Sequence, residues 1–110
     1  MSMLSIPEAV QLSGLDRTTL YRLERRGLLS FQRVAGEVFI PLDDLLASYI
    51  FTLGRAASFV GRSWWTARKW RDAGILDVYY DFPGSKGRCS IHAITTAKQQ
   101  WSKRDRRRGA

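Results

Sequence analysis

Apolar residues along the first fifty positions follow two spacings, and each change of spacing marks an element. Ile6, Ala9, Val10 and Leu12 recur at helical intervals, and Leu20 and Leu23 do so again, which predicts two short helices on either side of Ser13-Gly14. Ser5-Ile6-Pro7-Glu8 has the Ser-x-x-Glu spacing of a capping box with Pro in the first turn, so the first helix starts there and stops at Gly14. Asp16 caps the second helix, which runs to about Arg26, and Gly27 supplies the left-handed residue that ends it. The runs FQRV and EVFI alternate around Ala35-Gly36 and predict a β-hairpin. Pro41 ends the second strand, and Asp43 caps a third helix from Asp44 to about Phe51, whose Leu45, Leu46, Tyr49 and Ile50 cover a small core.

The same pattern then returns. Ile6 to Leu29 aligns with Leu53 to Leu76 at a constant offset of 47, pairing Ala9 with Ala56, Gly14 with Gly61, Leu23 with Trp70 and Gly27 with Gly74. Beyond that block the match resumes as EVFIPLDDL against RCSIHAITT, with Ile40 on Ile91 at an offset of 51 and four extra residues in the second copy. The second copy therefore predicts Ser63 capping a helix from Trp64 to Ala73, Gly74 as its stop, VYYDF and RCSI as strands, and a longer turn at Pro83 to Gly87. Its third helix starts near His92, at the place of Pro41, and is expected to continue through Trp101. Two short helices joined by a glycine-containing turn are a helix-turn-helix, and the hairpin beside it reads as a wing. The fold class expected is mainly α with small β-hairpin wings, a tandem winged helix-turn-helix: residues 1–51, residues 52–102, and a mobile basic tail at 103–110. The third helix of the first unit and the first helix of the second are expected to be nearly continuous.

Charge adds a partner to this picture. The chain of 110 residues has 18 Lys+Arg against 10 Asp+Glu, a net charge of +8, which suits a polyanion. The excess lies in the second half: residues 1–50 hold five basic and six acidic side chains, and residues 51–110 hold thirteen and four. With Leu20 and Leu23 turned inward, Arg17, Thr18, Tyr21, Arg22 and Arg25 point outward, side chains of the kind that read base edges and clamp phosphates. In the second copy the inward pair is Ala67 and Trp70, and Trp64, Trp65, Arg68, Lys69 and Asp72 point outward. Arg68 and Lys69 are the expected DNA ligands there. Trp64 and Trp65 either pack on sugars and thymine methyls or are buried against a protein surface. Arg33 in the first wing and Lys86 and Arg88 in the second are expected phosphate contacts, and Lys103, Arg104, Arg106, Arg107 and Arg108 add sequence-independent affinity through counterion release.

Residues 6 to 49, IPEAVQLSGLDRTTLYRLERRGLLSFQRVAGEVFIPLDDLLASY, resemble the excisionase-like and MerR-like winged helix-turn-helix domains of bacteria and their phages, and residues 53 to 97 are a looser match. The resemblance implies that the second helix of each unit enters the major groove and that the wing touches the backbone or minor groove. It also implies a phage or mobile-element role, as an excisionase or recombination directionality factor or as a transcriptional regulator, with a recombinase or RNA polymerase as possible protein partner.

Enzyme classes are expected to be absent, since no nucleotide-binding glycine loop or spaced metal ligands occur. One Cys and one His are too few for a structural zinc site, so no metal or cofactor is expected, and Cys89 reads as a small packed residue. The longest uncharged run, Leu45 to Gly54, is far short of a membrane span, which makes the cytoplasm the expected compartment. Two other readings stay open at this level: an assembly or packaging-type adaptor that uses the fold as a scaffold, with Trp64, Trp65 and the basic tail docking a partner, and an RNA-binding protein that uses the basic tail and exposed aromatics on single strands.

Overall fold

Ser5 begins the first unit's helices much as its spacing predicts. In the computed structural model, which describes residues 2–108 and the side chains of residues 2–103, strand β1 (Met3–Ser5) leads into helix α1 (Ile6–Ser13). The Ser5 hydroxyl accepts from the Glu8 N–H at 3.3 Å, and Glu8 Oε1 accepts from the Ser5 N–H at 3.1 Å, completing a capping box. Gly14, at φ 74°, ends α1. Asp16 then accepts from the Thr19 N–H at 2.7 Å to start helix α2 (Arg17–Arg25). At its far end Gly27 N–H donates to the Glu24 carbonyl and Leu28 N–H to the Leu23 carbonyl, the paired bonds of a Schellman motif, with Gly27 at φ 77°.

These caps make a pH prediction. Hydrogen bonds from the Ser5 backbone and hydroxyl hold the Glu8 carboxyl below its usual value, and the Thr19 hydroxyl and N–H do the same for Asp16. A carboxyl depressed in the folded state contributes stability above its unfolded pKa, near 4, and that contribution disappears as pH falls through the folded value. Asp16→Asn keeps a capping acceptor but cannot titrate. Its thermal stability is therefore expected to change less than the wild type's between about pH 4 and pH 2, and identical pH profiles would contradict this account.

Strands β2 (Gln32–Val34) and β3 (Glu37–Pro41) form the expected hairpin, with Ala35 at φ 52° and Gly36 at φ 83° giving the two left-handed residues of a twist-matched turn. The sheet has a third member that the sequence pattern does not predict. Strand β1 pairs antiparallel with β3, Leu4 opposite Ile40, giving the order β1-β3-β2.

Helix α3 (Leu42–Ala47) differs from expectation at both ends. Pro41 occupies the N-cap position without a side-chain bond, and Asp43 and Asp44 both lie inside the first turn, where the helix dipole favours them. The helix stops at Ala47 because Ser48 turns extended, at ψ 141°, while its hydroxyl donates to the Asp44 carbonyl. Continuity with the next helix is therefore absent: residues beyond Ser48 lead into strand β4 (Phe51–Thr52). The buried side chains of this half include Ile6, Ala9, Leu20, Leu23, Leu29, Ile40, Leu45 and Ile50.

The chain divides into two compact units, Met1–Ile50 and Phe51–Ala110. In the second, helices α4 (Leu53–Phe59) and α5 (Trp64–Asp72) start 47 residues after α1 and α2. Thr52 replaces Ser5 as the first cap, accepting from the Arg55 N–H at 3.3 Å. Ser63 holds the N-cap backbone geometry of α5 but makes no side-chain cap bond. The end of α5 repeats the Schellman bonds, Gly74 N–H to Arg71 and Ile75 N–H to Trp70.

The later elements correct the alignment. Strand β5 (Arg88–Cys89) pairs with β4, Phe51 opposite Cys89, just as Leu4 stands opposite Ile40, so Cys89 and not Ile91 takes the place of Ile40. Helix α6 (Ile91–Arg108) begins where α3 would by the same offset of 49, and Ser90, rather than His92, takes the place of Pro41. The Ser90 hydroxyl accepts from the Ala93 N–H at 2.9 Å and caps it.

VYYDF does not form a strand. Only Tyr79 pairs, in an isolated bridge to Arg88, because Tyr79, Tyr80 and Phe82 are all exposed and leave no buried face to fix a strand's register. The basic tail is likewise corrected: α6 continues past Trp101 to Arg108. Lys and Arg are good helix formers and suit a helix C-terminus, and the first strongly unfavourable residue is Gly109. The result is a mixed α/β chain with six helices among the described residues, two small antiparallel sheets, and helix slightly dominant.

Candidate functional site

Burial of Leu20 and Leu23 orients α2, and its outer face follows from helical geometry. Arg17, Thr18, Arg22 and Arg25 are exposed on it. Tyr21 is not fully outward as the spacing predicts. It is half-buried, its ring edge-on to Phe31 at 5.1 Å between centroids, with the Arg17 guanidinium 5.6 Å from the Tyr21 ring. Tyr21 therefore acts as a prop that holds Arg17 over the helix surface. Arg33 is exposed on β2, in the same unit.

The corresponding face of α5 has different chemistry. At the offset of 47, Arg17 and Thr18 become Trp64 and Trp65, Tyr21 becomes Arg68, Arg22 becomes Lys69 and Arg25 becomes Asp72. Trp64 is 43% exposed and Trp65 68%, their rings edge to face at 4.9 Å. The Arg68 guanidinium lies 5.4 Å from the Trp64 ring and 5.8 Å from the Trp65 ring, and Lys69 Nζ lies 4.8 Å from the ring of Trp101. Trp64 and Trp65 are thus not buried within their own unit.

Lys86 is exposed in the loop after Phe82. Arg88 differs from the expected wing-tip contact: it is half-buried in β5, its backbone bonded to Tyr79 at 2.9 and 2.7 Å. Lys103 is exposed on α6, whereas the side chains of Arg104, Arg106, Arg107 and Arg108 lie outside the described residues.

Residues that the sequence pattern does not single out complete the second unit's surface. A groove of about 610 Å³ is lined by Thr52, Leu53, Gly54, Trp64, Arg71, Tyr80, Ser85, Lys86 and Gly87. Arg71 Nε and one terminal nitrogen stand 3.1 and 3.0 Å from Asp72 Oδ1, and the Asp72 carboxylate holds the guanidinium firmly in its charged form. Gly87 allows the loop to close against Tyr80, since a Cβ there would stand 2.5 Å from Val78 Cγ1 and 3.1 Å from Tyr80 Cε1. The aromatic run at 79–82 was the available sequence signal for this surface, but its side-chain directions depend on the failure of the strand.

Cys89 is fully buried, and burial pushes its thiol up to about 12, a poor state for nucleophilic chemistry. Among the described residues no group of three or more His, Cys, Asp or Glu is placed to hold a metal ion. No helix of the described residues is long and apolar enough to cross a membrane. No protein-family model, curated protein or solved structure matches the chain.

Proposed function

We propose that the protein is a sequence-specific double-stranded DNA-binding protein, built as two helix-turn-helix units of which the first carries a hairpin wing, and acting without catalysis as a recombination directionality factor or transcriptional regulator. The observation that carries this reading is the outer face of α2, where Arg17, Thr18, Arg22 and Arg25 stand exposed on a helix locked by Asp16 at one end and a Schellman motif at the other. A helix about 10–12 Å across fits the major groove of B-DNA, and arginine can reach two acceptors of guanine at once. Arg33 on the neighbouring hairpin supplies a cation for the adjoining phosphates. The basic second unit adds affinity by releasing counterions, and a covalent pair of units raises the effective concentration of the second once the first has docked.

A gel-shift titration against fragments tiling the gene's own genomic neighbourhood, at two salt concentrations and with a random duplex as control, tests the proposal. One fragment is expected to bind at least about a thousandfold more tightly than random DNA. Equal binding to every fragment, collapsing together with salt, would refute sequence-specific recognition.

A further inference from the structure

Large apolar side chains are distributed unequally over the surface. Among the described residues, seven are exposed, and six of them, Phe59, Trp64, Trp65, Tyr79, Tyr80 and Phe82, lie in the second unit, which also carries the basic excess. These aromatics are interleaved with cations. Arg55 lies 5.8 Å from the Phe59 ring, Arg68 lies over both indoles, and Arg71 and Tyr80 line one groove. A protein-docking core is enriched in aromatics and Arg and depleted of Lys, so it is Lys86 in the groove and the basic excess of the whole unit that separate this surface from one. Here the aromatics come with positive charges beside them, and the groove next to Trp64 is lined by Lys86 and by Arg71, the latter paired with Asp72, which does not itself line the groove. Flat rings beside cations match a ligand that alternates flat bases with phosphates.

We propose that the α5 face and adjoining groove of the second unit bind single-stranded DNA, with bases stacking on Trp64, Trp65 and Tyr80 and phosphates held by Arg68, Arg71 and Lys86. Paired bases cannot serve, because a duplex keeps its ring faces inside the stack and offers only edges and backbone. Unpaired bases each expose a ring face, and stacking of this kind tolerates any sequence. Replacement of Arg17 and Thr18 by Trp64 and Trp65 then marks a division of labour: α2 presents hydrogen-bonding groups suited to base edges, and α5 presents rings suited to base faces. The choice of DNA rather than RNA rests on the duplex-DNA reading of the first unit; the stacking surface itself does not.

The test is a titration of the full chain with oligo(dT) of about 15 nucleotides, read by tryptophan emission, alongside a duplex and oligo(U) at equal salt. Stacking is expected to quench emission, and Trp65→Ala to weaken oligo(dT) binding at least about fivefold, with Trp64→Ala/Trp65→Ala weaker still. Trp65 is 68% exposed, so its removal should leave the far-ultraviolet circular dichroism unchanged. Lys86→Ala supplies an independent check and is expected to reduce the salt dependence of oligo(dT) binding. Arg22→Ala should weaken specific duplex binding and leave oligo(dT) binding intact, so failure of either reading shows separately. Unquenched emission, oligo(dT) affinity unaltered by Trp65→Ala, or quenching by duplex alone would overturn the proposal. Tighter binding to oligo(U) would overturn it in favour of RNA, and a concentration-dependent blue shift without nucleic acid would overturn it in favour of a protein interface.

Discussion

Trp70→Ala is expected to destabilise the second unit by about 3–5 kcal/mol, the largest effect of any single substitution considered for this chain. Trp70 is 1% exposed, on the inner face of α5 beside the fully buried Ala67, so truncation opens a cavity that the short helices around it are poorly able to close. The corresponding inner pair of α2 is Leu20 and Leu23. Large and small have been exchanged for two of intermediate size, which suggests a reciprocal test. Ala67→Leu alone overpacks the site and Trp70→Leu alone leaves a void, each costing on the order of 1–3 kcal/mol. The double substitution restores the pair found in the first unit and is expected to cost less than the two losses added together. It also removes the indole N–H of Trp70, which is buried with no hydrogen-bond partner among the described residues. Urea unfolding followed by tryptophan emission isolates this unit, because all four tryptophans lie in it. Simple additivity would show that positions 67 and 70 do not share one packing site.

Arg22→Ala/Arg25→Ala is expected to produce the largest functional loss, on the order of 2–6 kcal/mol of affinity for a specific duplex if both arginines contact bases. Both are exposed in the last turn of α2, so their removal costs the fold only the favourable interaction with the helix dipole, about 0.3–1 kcal/mol each, and no packing in the core. Specific and random DNA separate the two kinds of contact. A side chain bonded to a base edge loses affinity mainly on its preferred site, whereas one bonded to phosphate loses it on every sequence and lowers the salt slope by about one unit. If the double variant bound the specific site as tightly as wild type, α2 would not be the reading helix.

Local chemistry made much of each unit legible. The capping box at Ser5-Glu8, the Asp16 cap and the glycines at 14 and 27 act over three or four residues, so sequence alone places α1 and α2 closely. The hairpin at Ala35-Gly36 was equally visible, because two left-handed residues between alternating strands admit few other solutions. By contrast β1 is three residues long and has no periodicity of its own; it exists as a strand because β3 offers it an edge. Strand β4, two residues long, depends on β5 in the same way. The repeat offset of 51 failed for a related reason. Matching Ile40 with Ile91 rewards identity of side chains, whereas the pairing of Phe51 with Cys89 rewards burial, and a small thiol fills the space there.

The candidate surface divides along the same line. Sequence by itself determined which residues of α2 and α5 face away from the core, Tyr21 excepted, because helical periodicity and the apolar pairs Leu20-Leu23 and Ala67-Trp70 fix the orientation of each helix. It also determined the repeat of the helix pair and the concentration of positive charge in the second half. Tertiary structure decided that Tyr21 leans on Phe31, that α6 carries the basic segment to Arg108, and that Tyr80, Arg71 and Lys86 meet beside Trp64. Those outcomes depend on contacts between residues distant in sequence and on a strand that fails to form, and neither is encoded in the spacing of neighbouring side chains.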